Sequence, residues 1–273
     1  MKYQVLFDST AFRRTLVSVA LAAAYSSSWA LPSFTLTPAN VGLNGAAVTA
    51  DNILVSDFSR VTFSDAANFG QTGFLSITGF QTGGSNNSVP DLNTNYSLYL
   101  KFDGTGHLTS GIGMDPHVAF TGGLFDTLDY TFYGVSGNST FSVAGPTPTV
   151  DNGVNVPIVL ATGSLDAGSI STVSSAPSTP KFSSNAAATV TFAVAAGSFF
   201  SPDPFYNIAI SAFTNPNSTV TPFGTPGTAG SGFTINNGGG SLNFASAVPE
   251  PETYALMLAG LGVVGFLTRR RRS

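Results

Sequence analysis

Apolar and small polar residues alternate along the central part of the chain with a period of two residues. The clearest stretch is 95–102, where every second side chain is aromatic or aliphatic. Such alternation is typical of a strand with one buried face, because successive side chains of a strand point to opposite sides of the sheet. The same pattern predicts strands at 53–63, 73–80, 130–134, 154–160, 190–194, 205–213 and 241–245.

Turn dipeptides lie between or beside these runs, and no stretch of the body has a sustained helical period. They are Gly83-Gly84, Asp103-Gly104, Asn152-Gly153, Pro226-Gly227 and Asn237-Gly238. Short strands joined by polar turns predict an all-β fold, either an antiparallel β-sandwich or a jelly roll. We also expect an exposed loop at 169–180, which is rich in Ser, Thr and Pro, and a mobile glycine-rich segment at 224–240.

The first 30 residues have the layout of a secretory signal peptide. Lys2, Arg13 and Arg14 precede an apolar run at 15–25, and Ser28-Trp29-Ala30 is a small-x-small cleavage sequence. We expect a signal helix and cleavage between Ala30 and Leu31. The paired arginines leave a twin-arginine signal as an alternative, although the flanking residues fit it poorly.

The last 26 residues, 248–273, combine a polar motif, an apolar run and a basic cluster. Pro249, Glu250 and Pro251 come first, followed by the apolar run 253–268 and then by Arg269, Arg270, Arg271 and Arg272. As a helix the apolar run is roughly 24 Å long, which is short for a hydrocarbon core of about 30 Å. We expect a transmembrane helix with the arginines in the cytoplasm and the body, residues 31–247, on the outer side.

This tripartite terminus resembles the PEP-CTERM sorting domain of Gram-negative bacteria. The resemblance implies export, transient anchoring in the inner membrane and cleavage by an exosortase, after earlier processing by the export machinery and signal peptidase. The alternative is an ordinary C-terminal membrane anchor that is never cleaved.

The body is acidic and contains no cysteine. Its basic residues are Arg60, Lys101 and Lys181, against eleven Asp and no Glu, for a net charge of −8. Such a surface repels nucleic acid, which requires clustered Lys or Arg. With no disulfide available, the exported body depends on its own core, and 20 of the 23 Phe lie there. We treat 31–247 as one domain; the best candidate break is 144–152, where prolines interrupt the strand pattern.

Catalytic material is scarce. His107 and His117 are the available bases near neutral pH, and with Asp115 their spacing matches no strong metal-site pattern. Paired carboxylates would have to come from Asp alone, such as Asp126 with Asp129 or Asp51 with Asp57. We therefore expect no catalytic residue, no metal site and no cofactor, and a protein that is not an enzyme.

Several segments of the body resemble flocculation-associated PEP-CTERM proteins, namely 31–35, 50–58, 73–80, 96–106 and 203–206. The resemblance implies a surface or matrix protein associated with exopolysaccharide in flocs or biofilm, with a structural or adhesive role. The alternative is a carbohydrate-binding sandwich that uses exposed Tyr99, Tyr133 or Tyr206 as stacking platforms. An exported glycan hydrolase is the third class, and the lack of Glu and the two His disfavour it.

Overall fold

The computed structural model describes residues 31–110, 120–174, 182–201, 207–213, 219–225 and 228–245. These ranges contain sixteen strands and one 3₁₀ helix, Pro38–Val41, which lies between the first two strands. The strands are β1 (Phe34–Leu36), β2 (Val48–Ala50), β3 (Asn52–Phe63), β4 (Asn68–Thr82), β5 (Ser85–Asn86), β6 (Tyr96–Ser110), β7 (Phe120–Ser136), β8 (Thr140–Ser142), β9 (Thr149–Asp151), β10 (Ile158–Ser174), β11 (Phe182–Thr191), β12 (Ala193–Val194), β13 (Phe200–Ser201), β14 (Asn207–Phe213), β15 (Thr219–Phe223) and β16 (Gly232–Ala245).

Eight of these strands form one antiparallel sheet that closes on itself. In chain order they are β3, β4, β6, β7, β10, β11, β14 and β16, and each pairs with the next. The last strand, β16, then returns to pair with β3. This confirms the prediction of an all-β, antiparallel fold. The two layers expected for a sandwich are opposite halves of one continuous sheet, and the strand order is a meander without the Greek-key crossings of a jelly roll.

The interior of the closed sheet is filled by the inward half of each alternating pattern. In β3 every second residue from Ile53 to Phe63 is buried, while the residues between them are half-buried on the outer face. The inward positions of β6 and β7 add aromatic and aliphatic side chains such as Leu98, Leu100 and Phe132. The aromatic composition of the body therefore becomes a packed core held without disulfides.

A small sheet of β1, β2 and β13 adds to this core. Phe34 contacts the ring of Phe244 with 4.8 Å between centroids, and Phe200 packs against Phe132 at 5.7 Å. Edge-to-face and tilted ring pairs of this kind contribute about 0.5–1.5 kcal/mol beyond the burial of their area. The core thus continues from the closed sheet into the three-stranded one.

Several segments expected to be turns or loops are strands instead. Strand β10 runs on to Ser174, so the first half of the expected loop 169–180 is paired, and β16 includes most of the segment expected to be mobile. Gly104 lies inside β6, where a β-carbon would press on the Thr127 carbonyl and the Leu128 side chain. The glycine there permits close approach of two strands and does not mark a turn.

The expected turn at Gly83-Gly84 is confirmed, whereas Asn237-Gly238 forms a bulge within β16 and the expected strand 154–160 is shorter than predicted. Gly83 and Gly84 form the turn after β4, both with positive φ, and Asn237 is a bulge in β16 with φ 62°. Val154 and Val156 are 97% and 83% exposed and precede β10, so the expected strand 154–160 begins only at Ile158. The expected signal helix within 1–30 and the transmembrane helix at 253–268 lie outside the described residues.

Candidate functional site

A groove of about 390 Å³ lies on the outer face of the closed sheet, over β3, β15 and β16. Its floor follows the strand register, in which Thr221 lies opposite Thr234 and Thr234 lies opposite Arg60. These side chains are on the outer face because the residues that alternate with them, such as Val61 and Ile235, are in the core. The volume falls in the range of roughly 300–1,000 Å³ that is usual for small-molecule sites.

The ring of Phe223 forms one wall of the groove, and a glycine on the neighbouring strand determines its position. Phe223 pairs with Gly232, where a β-carbon would collide with the edge of the Phe223 ring and with the Val61 carbonyl. The aromatic ring therefore covers backbone that has no side chain of its own. Aromatic cover of this kind supports a strand that glycine would otherwise weaken.

Arg60 is the charged residue of the groove. Its guanidinium carbon lies 3.4 Å from the centroid of the Phe223 ring, and Nη1 donates a long hydrogen bond of 3.5 Å to the Gly145 carbonyl. Partial burial lowers the pKa of Arg60, but a guanidinium remains protonated at neutral pH. Among the described residues, no carboxylate lies within ion-pair distance of Arg60, and no acidic residue lines the groove.

The opposite wall comes from the hairpin of β8 and β9, which covers part of the outer face. Phe141 of this hairpin stacks on Phe58 with 5.2 Å between ring centroids and also contacts Phe74 and Tyr99. Asn152 donates a hydrogen bond of 3.1 Å from Nδ2 to the Tyr99 hydroxyl. The hairpin is thereby fixed on the sheet, and the residues after Phe141 complete the groove.

The lining defines what the groove can do. Two half-exposed aromatic rings face it together with hydroxyl and amide groups and one guanidinium, from Arg60, Phe141, Ser142, Thr221, Phe223, Thr234 and Asn236. Such groups are able to donate and accept hydrogen bonds, to pack against apolar ring faces and, at Arg60, to pair with an anion. Among the described lining residues there is no carboxylate or imidazole.

A second polar site lies inside the closed sheet. Asp57 points inward from β3 and is only 3% exposed, beside a cavity of about 30 Å³ with largely apolar walls. Burial raises the pKa of Asp57 to about 7, although a hydrogen bond with Ser59 lowers it in part. Gln71 donates to the same Ser59 hydroxyl at 3.3 Å, and Oδ1 of Asp57 has no protein partner within the described residues.

The residues proposed from sequence as acids, bases or metal ligands are mostly dispersed. His107 Nδ1 and Asp126 Oδ1 are 2.7 Å apart on the surface, with side chains 43% and 51% exposed. Asp51 accepts a hydrogen bond from the Gly83 N–H in the turn after β4, whereas Asp57 is in the core. The two residues are six positions apart along extended chain, which separates them by roughly 20 Å, so they do not form a carboxylate pair. His117 and Asp115 lie outside the described residues, within which no group of three or more potential metal ligands occurs.

Of the tyrosines proposed as stacking platforms, Tyr99 is buried and Tyr133 is half-buried. Tyr99 is 2% exposed and packs against Tyr133, with 5.3 Å between ring centroids, under the β8–β9 hairpin. Tyr206 lies outside the described residues. Sequence reasoning missed Phe141 and Phe223, and it noted Arg60 only as one of three cations of the body. That rarity of positive charge was the one available signal for the groove.

Comparison with known proteins identifies the C-terminal segment. Residues 247–272 match the family model of the PEP-CTERM protein-sorting motif. No curated protein and no solved structure matches the chain. The chain therefore carries the sorting signal of exported proteins that are anchored in a membrane and processed by an exosortase. The matched segment contains Pro249, Glu250, Pro251 and the cluster Arg269–Arg272, all outside the described residues.

Within the described ranges, no helix has both the length and the apolar character required to span a membrane.

Proposed function

We propose that this chain is a structural or adhesive protein of the cell surface or extracellular matrix, acting in exopolysaccharide-dependent floc or biofilm formation. The observation that carries the proposal is the position of the sorting motif, which begins at residue 247, directly after the last strand of the closed sheet at Ala245. The chain thus combines a folded body with a signal for delivery and release. The body, not the tail, is what remains at the destination.

The proposed route has three steps. The export machinery and signal peptidase remove 1–30 and leave Leu31 as the new terminus. The apolar run and the four arginines then hold an intermediate in the inner membrane, with the body on the outer side. Cleavage near Pro249-Glu250-Pro251 by an exosortase releases the body, which moves outward to the surface or matrix of a Gram-negative cell.

The composition of the outer face supports an adhesive role. Exposed Thr, Ser and Asn side chains recur along the outer positions of β6, β7 and β16, for example at Thr105, Thr127 and Asn236. Each contact of such groups with a hydroxyl-rich polymer is weak. Multiple contacts along one polymer raise the effective concentration and convert weak binding into firm retention.

The test replaces Pro249, Glu250 and Pro251 with Ala in the producing strain, with deletion of the whole gene as the reference. We expect the tailed protein to accumulate in the inner membrane of the triple variant, and flocs to be lost both in that strain and in the deletion strain. The control replaces Ser246, just before the matched motif, with Ala. It should leave both release from the inner membrane and floc formation as in wild type. Normal flocs in the deletion strain would contradict the adhesive role, and release of the triple variant would contradict the exosortase step.

The proposal includes no catalytic step. His107 and Asp126 form an exposed surface contact, in which the two side chains are 43% and 51% exposed. Changing His107 and His117 together to Ala should leave flocculation unaltered. A glycan hydrolysis that wild-type protein performs and the double variant lacks would move the protein to the hydrolase class.

A carbohydrate-binding module is the second candidate function, and the groove beside Arg60 favours it. The rings of Phe141 and Phe223 provide the aromatic surface there, in place of the buried Tyr99. Pull-down with isolated exopolysaccharide separates the two functions. A module should bind through the groove and lose binding when Phe223 is replaced by Ala, whereas a matrix protein that adheres through its whole surface should not.

A further inference from the structure

We propose that the outer-face groove binds a carboxylated sugar unit of an acidic polysaccharide, with the guanidinium of Arg60 pairing with the sugar carboxylate. This inference deepens the proposed function and rests on it, because it names the chemistry of the polymer that the exported body would meet. It is carried by the charge, the walls and the hydrogen-bonding groups of the groove.

The charge of the groove is the first argument. In residues 31–247 eleven Asp accompany only three basic residues, yet Arg60 contacts a ring and a backbone carbonyl instead of an acid. A guanidinium has five N–H donors, and the structure shows one of them donating to Gly145. The planar group is therefore able to take a carboxylate with two parallel hydrogen bonds, which is the geometry that arginine provides and lysine does not.

The walls are the second argument. Phe141 and Phe223 both line the groove, and each residue is half-buried. The C–H face of a pyranose ring is apolar and packs against such surfaces, while its hydroxyls point sideways. Thr221, Thr234 and Asn236 lie on the same outer face as Arg60 and offer donors and acceptors to those hydroxyls. A simple anion would use only Arg60 and leave the remaining walls without a role.

The acidity of the body limits which polymer fits. Asp103 is the nearest acid in the strand-register row of Arg60, two strands away across Thr72 at roughly 10 Å, and Asp129 follows it on the next strand. Repulsion over that distance is largely screened at about 0.1 M salt. A single carboxylate is therefore tolerated at Arg60, whereas a dense polyanion would meet the net charge of the whole body. We infer a polysaccharide in which acidic units are spaced by neutral ones.

The test measures binding of the full chain in detergent micelles to short hyaluronan oligosaccharides, in which glucuronate alternates with a neutral amino sugar. The comparison ligand is the same oligosaccharide after reduction of its carboxyl groups to hydroxymethyl groups. We expect reduction to weaken binding about fivefold or more, which corresponds to about 1 kcal/mol for a partly exposed ion pair. Arg60→Gln should produce the same loss for the native oligosaccharide and none for the reduced one.

The matched control is Lys101→Gln, which removes the same charge from an exposed position of the same outer face. Equal loss in the two variants would show that only net charge matters and would overturn the site. Equal binding of native and reduced oligosaccharide would overturn recognition of the carboxylate. Phe223→Leu is a second variant of the groove, and it tests the site independently if the arginine variant fails to fold. It keeps Arg60 and should weaken both ligands, and circular dichroism of each variant verifies that its sheet is intact.

Failure of this inference is separable from failure of the proposed function. Flocs that disappear on deletion of the gene but persist with Arg60→Gln would refute the groove and leave the adhesive role standing. Normal flocs in the deletion strain would refute the adhesive role, whatever the binding experiment shows.

Discussion

Replacement of Asp57 by Asn should make the body more stable at alkaline pH and leave its stability nearly unchanged at acid pH. Asp57 is buried in the core beside Ser59 and Gln71, and burial raises its pKa from 3.8 to about 7 because the charged form is poorly solvated there. Below pH 3.8 the carboxyl is neutral in both the folded and the unfolded chain. As the pH rises from there, only the unfolded chain loses the proton, so unfolding becomes progressively more favourable.

The structure sets the magnitude of this effect. The difference between 3.8 and about 7 is roughly three pH units, and each unit corresponds to 1.36 kcal/mol. Ionisation of Asp57 therefore costs the folded state about 4 kcal/mol once the pH exceeds 7, and this cost is absent at pH 3.5. For a domain of this size that difference corresponds to about 10 °C in melting temperature.

The assay is denaturant unfolding of the exported protein and the variant at several pH values between 3.5 and 8. The gap in unfolding free energy between Asp57→Asn and wild type should widen in favour of the variant as the pH rises, and should level off above 7. Asp103→Asn is the control, because it removes an exposed carboxyl from the outer face of β6. A gap that stays constant over the whole pH range would refute the argument from burial.

Three further outcomes follow from packing and processing. Gly163→Ala should cost about 1–3 kcal/mol in thermal unfolding, because a β-carbon there would collide with the Thr191 carbonyl and the Tyr130 ring, whereas Gly79→Ala meets only an ordinary contact at 3.6 Å. Phe141→Ala should cost about 2 kcal/mol and speed proteolysis within the β8–β9 hairpin, since that ring anchors the hairpin to the sheet; unchanged cleavage would contradict the anchoring. N-terminal sequencing of exported protein should begin at Leu31, and a sequence that begins at Met1 would exclude signal cleavage.

The elements predicted best from sequence are those in which alternation is complete. The expected strand 53–63 differs from β3 by one residue, because buried and half-exposed positions alternate along the whole strand and most of the buried ones are apolar. Closure of the sheet was not predictable in this way. Alternation reports which face of a strand is buried, but it contains no information on which strand lies beside it. Glycine misled the prediction at Gly104 and in β16, where it allows close packing instead of a turn.

The groove shows the same limit more sharply. Arg60 and Phe223 are far apart in sequence and meet only because β16 pairs with both of their strands. Tyr99 was expected to be exposed because it lies on the outward face of β6, and it does lie there. The β8–β9 hairpin covers that part of the outer face, however, and buries the ring. Neither the contact between Arg60 and Phe223 nor the covering of Tyr99 by the hairpin produces a periodic pattern in the sequence.

The pairing of β16 with β3 has a consequence for the order in which the protein is completed. Neighbouring strands of the meander are close in sequence and associate early, but this seam joins the beginning of the body to its end. Because the chain is made from its N-terminus, one edge of β3 remains unpaired until β16 has been synthesised. Strand β16 ends two residues before the sorting motif begins. A body truncated before β16 keeps two open edges, at β3 and β14, which are sites of aggregation and proteolysis. Closure of the sheet therefore requires nearly the whole body to be synthesised, up to the residues just before the sorting motif.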